Sequence, residues 1–350
     1  MKHRPNSDQP PSAWDYAGKL EEYREWFADG SGVVRDEERL ANYAALANRY
    51  YDLATVFYEF GWGKSFHFAP LLPKESRRES LRRYELRFAK TLALKEGMEI
   101  LDLGCGVGGP LIHLAKATGA RIMGVNNNQF QIDRAKRYLK RAGLEGSSGF
   151  VLADFMNLPI EDGSIDAIYS IDAIPHAPDK EALFREMIRV LRPGGGFASS
   201  DWCVTELFDR NDAGHLAILR DLEMGNGLPC TFSQGQVRTA LERVGFEILE
   251  FSDLGGAGES GRPWYNPLMK RPGIPLDLAR DPRVRGGVNA ILRGMERMRI
   301  APSGSAFVHR MLSLGAEALV RAGMEGIFTP LLFFHVRKAG TVHGAESGGT

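Results

Sequence analysis

The chain has 350 residues, 43% apolar and 25% charged, with 44 Lys plus Arg against 44 Asp plus Glu. That composition suits an ordinary buried core in one large domain or two small ones, and its charge balance leaves no global basic field for nucleic acid. Cys105, Cys203 and Cys230 are too few and too scattered for a disulfide framework or a cysteine-based zinc site, which fits a reducing cytoplasm. No apolar run approaches the roughly 18 residues of a membrane span. Residues 1–12 lack the apolar core of a signal peptide and read as a loose, disordered tail.

Residues 13–95 read as a helical region. Leu20, Tyr23 and Trp26 recur at helical spacing, as do Leu40, Tyr43, Leu46 and Tyr50, and Pro70 and Pro73 break the chain before a helix at about 75–93. Residues 96–255 alternate strands and helices. Strands are predicted at Glu99–Leu103, Arg121–Val125, Phe150–Ala153, Ala167–Ile171, Gly196–Ser200 and Glu247–Phe251, separated by helical patterns that include Gln131–Ala142, Lys180–Leu191 and Gln234–Val244. This rhythm predicts an α/β, Rossmann-like fold: a mostly parallel sheet covered on both faces, with ligands at the carboxyl ends of its strands. Residues 256–338 depart from it. A turn-rich loop precedes one helix striped by Val284, Val288, Ile291, Leu292, Met295 and Met298 and another carrying Phe307, Met311, Leu314 and Ala318. Leu331–Val336 reads as the seventh and last strand, so the two helices form a cover inserted before it. Residues 339–350 are a Gly-rich, disordered tail.

The most informative stretch is 99–110. Ile100, Leu101 and Leu103 make a short strand carrying Asp102, which breaks into Gly104, Cys105, Gly106, Gly108 and Gly109 before a helix. Glycines allow a ligand close to the backbone, and the helix start offers free N–H groups. An acidic strand tip repels a pyrophosphate but welcomes the cationic amino-acid end of S-adenosylmethionine, with S-adenosylhomocysteine as the product. Downstream positions agree. The second strand ends at Asn126 and Asn127, where a ribose needs hydrogen bonds. An acid is usual there; an amide bonds a hydroxyl more weakly. Asp154 is placed to accept from the adenine amino group, with Phe155 to pack the ring. Ile171-Asp172-Ala173-Ile174-Pro175-His176 lies over the expected transfer point, and Leu191-Arg192-Pro193-Gly194-Gly195-Gly196 makes the turn into the fifth strand.

The acceptor side is suggested by Tyr50 to Phe68, which is crowded with aromatics. Tyr58-Glu59-Phe60-Gly61-Trp62-Gly63, followed by Ser65-Phe66-His67-Phe68, resembles the sterol-associated motif of the sterol 24-C-methyltransferase family. Leu101 to Pro110 is similar to that family's cofactor loop. Gly124-Val125-Asn126-Asn127-Asn128 resembles its second-strand signature, and His176-Ala177-Pro178-Asp179 its segment after the fourth strand. Pro263-Trp264-Tyr265 and Gly326-Ile327-Phe328-Thr329-Pro330 look like parts of its sterol-binding C-terminal region. The resemblance runs from about residue 45 to 338 and implies a class I methyltransferase fold. The family usually has Ile-Glu-Ala-Thr-Cys where this chain has Ile171 to Pro175, which marks a divergent, bacterial-type member with a reshaped wall near the methyl group.

The resemblance implies methylation of C24 in a Δ24-sterol side chain, through a carbocation and loss of a proton. Such an alkene needs no activated nucleophile and no metal. Expected substrate contacts are Tyr50, Tyr58, Gly61, Trp62, Phe66, Trp264 and Tyr265; expected cofactor contacts are Asp102, Gly104, Cys105, Gly106, Asn126, Asn127, Gln131, Asp154, Phe155 and Ile171. Glu59, Asp172 and His176 are candidate bases, although the same residues suit a helix cap, a tied-down loop and a helix start. Asp201 and Trp202 follow the fifth strand and are expected near the pocket. A sterol partner implies transient peripheral membrane contact, and the resemblance implies a homo-oligomer, in the cytoplasm that the cysteine usage suggests. Competing readings are methylation of another isoprenoid lipid or a tocopherol-like ring, a small-molecule O- or N-methyltransferase, and a lipid carrier with a degenerate cofactor fold.

Overall fold

The computed structural model describes Tyr23 and residues 34–256, 262–269, 282–298, 300–301 and 304–340. Residues 1–12 and 341–350 of the proposed tails, and Leu20 and Trp26, lie outside them. In chain order the elements are α1 (Val34–Ala41), α2 (Tyr43–Trp62), α3 (Arg77–Thr91), β1 (Glu99–Leu103), α4 (Gly109–Thr118), β2 (Arg121–Asn126), α5 (Gln129–Ala142), β3 (Gly149–Leu152) and β4 (Ile165–Ile171). A 3₁₀ turn (Ile174–His176) leads to α6 (Lys180–Val190), β5 (Leu191–Val204), α7 (Ala213–Asn226), β6 (Phe232–Ser233), α8 (Gln234–Val244) and β7 (Phe246–Asp253). After a 3₁₀ turn at Asn266–Leu268 come α9 (Pro282–Arg297), α10 (Ser305–Met324) and β8 (Phe328–Lys338).

The sheet runs β3-β2-β1-β4-β5-β8-β7, with the two-residue β6 attached to β5. All pairings are parallel except those of β8, which is antiparallel to β5 and β7. Chain order reverses between β1 and β4, and the crevice at such a switch point is where α/β sheets bind ligands. Helical layers cover both faces, and each buries its own cluster. Phe88, Leu111, Leu114, Tyr169 and Phe333 meet in one; Leu103, Ile168, Phe184, Phe197 and Phe334 meet in the other.

Strong local signals set the helix ends. Ser76 and Ser233 form capping boxes at α3 and α8, and Asn128 and Asp179 cap α5 and α6. Glycines in left-handed conformation end α4, α5, α7 and α8. Two features differ from the sequence prediction. The glycine turn at 192–196 is part of one long β5, whose register against β4 shifts between Ile165 and Ala167 to absorb the extra residues. An unpredicted helix, α7, follows β5 and packs on α10 so closely that a Cβ on Gly225 would lie 2.2 Å from Gly315 Cα. The cover is therefore built from core-segment and C-terminal helices together, with α2 beneath α10.

Candidate active site

The β1 loop closes tightly on its neighbours. Gly104 and Cys105 both donate their N–H to Val125 O, at 2.8 and 3.0 Å. Gly104 sits at φ +69°, and a Cβ there would lie 2.2 Å from Ala173 Cβ, so the turn and the β4 loop pack as only glycine permits. Gly106 (φ +54°) faces open space: the nearest atom to a Cβ there is Phe66 Cδ2 at 3.9 Å. The resulting cleft is walled by Asp102, the glycine loop, Asn126, Asn127, Gln131, Phe155, Ile171 and Asp172, and is covered by Tyr43 and Tyr51 from α2.

Asp102 is buried, and its Oδ2 has no hydrogen-bond partner. Burial pushes its carboxyl up to about 7; the nearby Tyr169 hydroxyl and the His67 imidazole oppose the rise, and Glu85 adds to it. A buried carboxylate oxygen left bare at the mouth of a cleft is suited to a cationic group. The amino-acid end of S-adenosylmethionine fits that requirement. Behind it, buried Glu85 accepts from Ser65 Oγ (2.7 Å), His67 Nε2 (3.1 Å) and His113 Nδ1. Burial would raise the Glu85 pKa, but these donors hold it down to about 2, so the segment before α3 is tied to α4.

A second, apolar chamber of about 240 Å³ lies beside the cleft, lined by Phe57, Tyr58, Trp62, Phe68, Trp202 and Leu319 among others. A small gap of about 30 Å³, bordered by Tyr51, Tyr58, Asp172, His176 and Trp202, separates the two spaces. Phe66 borders all three. Phe68 is the hub of the chamber wall: its ring centroid lies 5.2 Å from Trp62, 5.7 Å from Trp202 and 5.3 Å from Trp264. Asp172 holds that hub. Its Oδ2 accepts the Phe68 N–H at 2.8 Å and its Oδ1 accepts Ser200 Oγ–H at 2.6 Å. Asp172 itself adopts φ +56°, a conformation unfavourable for a residue with a Cβ.

His176 lies in the same gap. Its Nδ1 donates to Gly227 O (3.1 Å), which leaves Nε2 to accept the Tyr51 hydroxyl at 3.0 Å. Burial, with a contribution from Lys180, lowers its pKa to about 4 and keeps the ring neutral. Lys180 anchors the 3₁₀ turn by donating to Ile174 O at 2.7 Å, and it pairs with buried Asp201 at 2.7 Å.

Residues 94–245 match the model of a methyltransferase domain, and residues 283–339 match that of a sterol methyltransferase C-terminal region. The chain is 43% identical to "Cycloartenol-C-24-methyltransferase 1" of Oryza sativa subsp. japonica, over 91% of this chain and 92% of that protein. It is 39% identical to the "Sterol 24-C-methyltransferase" of Eremothecium gossypii, over 91% of this chain and 87% of that protein. The chain belongs to the sterol 24-C-methyltransferase family. Its activity is accordingly S-adenosylmethionine-dependent sterol C-24 methylation. Among solved structures, the mycolic acid cyclopropane synthase CmaA1 shares the fold, with a TM-score of 0.65 at 18% identity over 84% of this chain and 98% of that one. The relatives named here are plant and fungal and lend the bacterial-type expectation no support.

Against the expectations for a sterol 24-C-methyltransferase, the structure brings Asp102, Gly104, Cys105, Gly106, Asn126, Asn127, Gln131, Phe155, Ile171, Asp172 and His176 to one cleft. Tyr58, Gly61, Trp62 and Phe66 line the chamber, and Tyr50 borders the gap, bonded to Tyr58 through their hydroxyls at 2.5 Å. Other expectations need correction. Glu59 does not line the cleft, gap or chamber; it pairs with Arg134 and accepts from Tyr138 Oη at 2.6 Å, bracing α2 to α5. Helical periodicity could not separate these faces, because aromatics occur on both sides of α2. Asp154 holds the Tyr43 hydroxyl and the Met156 N–H (2.9 Å) and does not line the cleft. Trp264 and Tyr265 do not line the chamber: Trp264 is packed behind Phe68, and a Cβ on Gly323 would meet the Tyr265 ring at 2.2 Å. Asp201 is consumed by Lys180, whereas Trp202 does reach the chamber. The amides of Asn126 and Gln131 bond each other at 2.8 Å, and Gln131 Nε2 also donates to Thr55 Oγ1 at 3.0 Å. Tyr51 was not foreseen. Only its position one residue past Tyr50, facing the β4 loop, distinguishes it, and that requires the tertiary structure.

Proposed function

We propose that the cleft holds S-adenosylmethionine by its amino-acid end and that the chamber presents the side-chain double bond of a Δ24-sterol across Phe66. The observation that carries this assignment is the adjacency of an orphaned, buried Asp102 carboxylate and an aromatic chamber, with one phenyl ring common to both. When bound, S-adenosylmethionine supplies an electrophilic methyl group. Asp102 would take the amino group, with Gly104, Cys105 and Gly106 along the backbone. Asn126, Asn127, Gln131, Phe155 and Ile171 would serve the nucleoside, the amides exchanging their present partners.

An alkene attacks without prior deprotonation, so the site must align it, exclude water and tolerate positive charge on the side chain. Tyr58, Phe66 and Trp62 offer ring faces that stabilise a cation without bonding to it. The final proton leaves toward the gap, where Asp172 and His176 stand. Tyr51 is the additional group: its hydroxyl oxygen accepts the sterol proton while passing its own proton to neutral His176 Nε2. Histidine with a pKa near 4 is a weak base, but a carbocation is a strong enough acid for that to suffice. Asp172 acts electrostatically and by holding Phe68. We further assign the chain to the cytoplasm, as a homo-oligomer making transient peripheral contact with sterol-bearing membranes; among the described residues no helix is long and apolar enough to cross one.

The test is incubation with methyl-labelled S-adenosylmethionine and a sterol panel with and without the side-chain double bond, followed by mass spectrometry. Label at C24 of the unsaturated sterols alone is expected. Cofactor binding with no transfer to any sterol would remove the acceptor assignment.

A further inference from the structure

On the outer side of Gly61 and Trp62 lies a groove of about 760 Å³ lined by Lys64, Arg77, Arg78, Arg82, Lys116 and Arg141. Its one lining carboxylate, Glu85, is already engaged by His67, His113 and Ser65. In a chain whose charges sum to zero, six Lys and Arg around one groove are a local concentration. Lys64, Arg78, Arg82, Lys116 and Arg141 are exposed.

The arrangement is costly to the fold. Arg77 is held within the fold, donating to Gly61 O at 3.0 Å and stacking on the Trp62 ring, but Arg78, in the first turn of α3, opposes the helix dipole and repels Arg82 four residues on. Such placement points to an external anion rather than to internal stability. Apolar surface adjoins it. Phe60, in the last turn of α2 directly before Gly61, is 95% exposed, and Val56, one turn earlier, is 44% exposed. Gly61 and Trp62 line both this groove and the apolar chamber.

We propose that the groove docks on an anionic lipid bilayer, with Phe60 entering the interface, and that the Gly61–Trp62 wall is the passage by which a membrane-held acceptor reaches the chamber. The docking stands on charge and exposure; the passage rests on the sterol assignment above. Basic side chains gain affinity from the negative surface potential, and an inserted aromatic ring supplies the apolar contact.

The experiment is co-sedimentation of the full-length protein with vesicles of phosphatidylcholine alone or containing phosphatidylserine, over a range of salt concentrations. Neither sterol nor cofactor is added, so its failure is distinct from failure of the methylation assignment. The wild type is expected to bind only the anionic vesicles, and less at high salt. Arg78→Glu/Arg82→Glu is expected to lower partitioning at least about 25-fold, from roughly fivefold per basic residue. The charge-matched control Arg238→Glu/Arg243→Glu on α8 should bind as the wild type, and circular dichroism should show all variants folded. Phe60→Ser should weaken binding without changing its salt slope. In detergent-dispersed sterol the groove variant should keep its methylation rate and lose it only with vesicle-embedded sterol. Equal binding to neutral vesicles, or wild-type binding by the groove variant, would overturn the docking. Retention on a soluble polyanion without vesicle binding would overturn the lipid as occupant.

Discussion

Asp102→Asn separates the cost of a buried carboxylate from its use. A carboxyl that titrates near 7 when folded and near its ordinary 3.8 when unfolded costs the folded chain roughly 4 kcal/mol above pH 7, as an upper bound. Between about pH 4 and 7 the folded chain retains a proton that the unfolded chain releases. Stability therefore falls as pH rises through that window and is level above it. Asparagine removes the charge but leaves a buried amide to satisfy, at about 1–3 kcal/mol. The expected net gain for the cofactor-free protein at pH 8 is about 1–3 kcal/mol, seen as a rise of a few degrees in Tm and absent at pH 4. The cost to binding is larger, since losing a buried charge partner forfeits about 3–5 kcal/mol, or about 10²–10⁴ in Kd for S-adenosylmethionine. In the wild type the cationic end needs the ionised carboxylate, so affinity should fall roughly tenfold from pH 8 to pH 6. Isothermal titration calorimetry at both pH values, with differential scanning fluorimetry of each protein, reads all these quantities. Asp102→Asn binding the cofactor within threefold of the wild type, or wild-type affinity independent of pH, would refute the reasoning.

The remaining predictions concern the acceptor side and the cover. Tyr51→Phe removes the hydroxyl that faces His176 Nε2 and should lower kcat about 10²-fold with the cofactor Kd within twofold; an unchanged kcat in steady-state assays would exclude the relay. Ala316→Phe on α10 fills part of the 240 Å³ chamber and should raise the sterol KM at least about tenfold while cofactor binding stays constant. Asp172→Ala loses two hydrogen bonds and the carboxylate that hold Phe68 and Ser200 and should cost about 2–4 kcal/mol in urea unfolding. Asp172→Asn, which tolerates the left-handed backbone, should cost less than half as much. Gly225→Ala forces α7 away from α10 at a 2.2 Å clash and should cost about 1–3 kcal/mol by the same measurement.

The order of strands and helices was legible because it rests on local chemistry. Buried apolar runs alternate with amphipathic helices, and serine, asparagine, aspartate and glycine caps mark their ends. The cofactor loop was legible for the same reason: Asp102, Gly104 and Gly106 are neighbours in sequence, and a strand, turn and helix leave them few arrangements. Local chemistry was therefore enough for the fold class, the family resemblance and the strand ends that carry the cleft. Which face of α2 looks inward depends on a rotation of that helix that only packing decides, and so Glu59 faced Arg134 while Tyr51 faced His176. Helix α7 is hard to read locally because its apolar stripe is short and ends at Gly225, whose close crossing with Gly315 is visible only once α10 is in place. The tertiary structure also decided which polar side chains are free. The sequence offers Asp154 for the adenine, Asp201 for the pocket and Glu59 as a base, but long-range partners from Tyr43, Lys180 and Arg134 occupy each of them, whereas Asp102 Oδ2 finds no hydrogen-bond partner among the described residues.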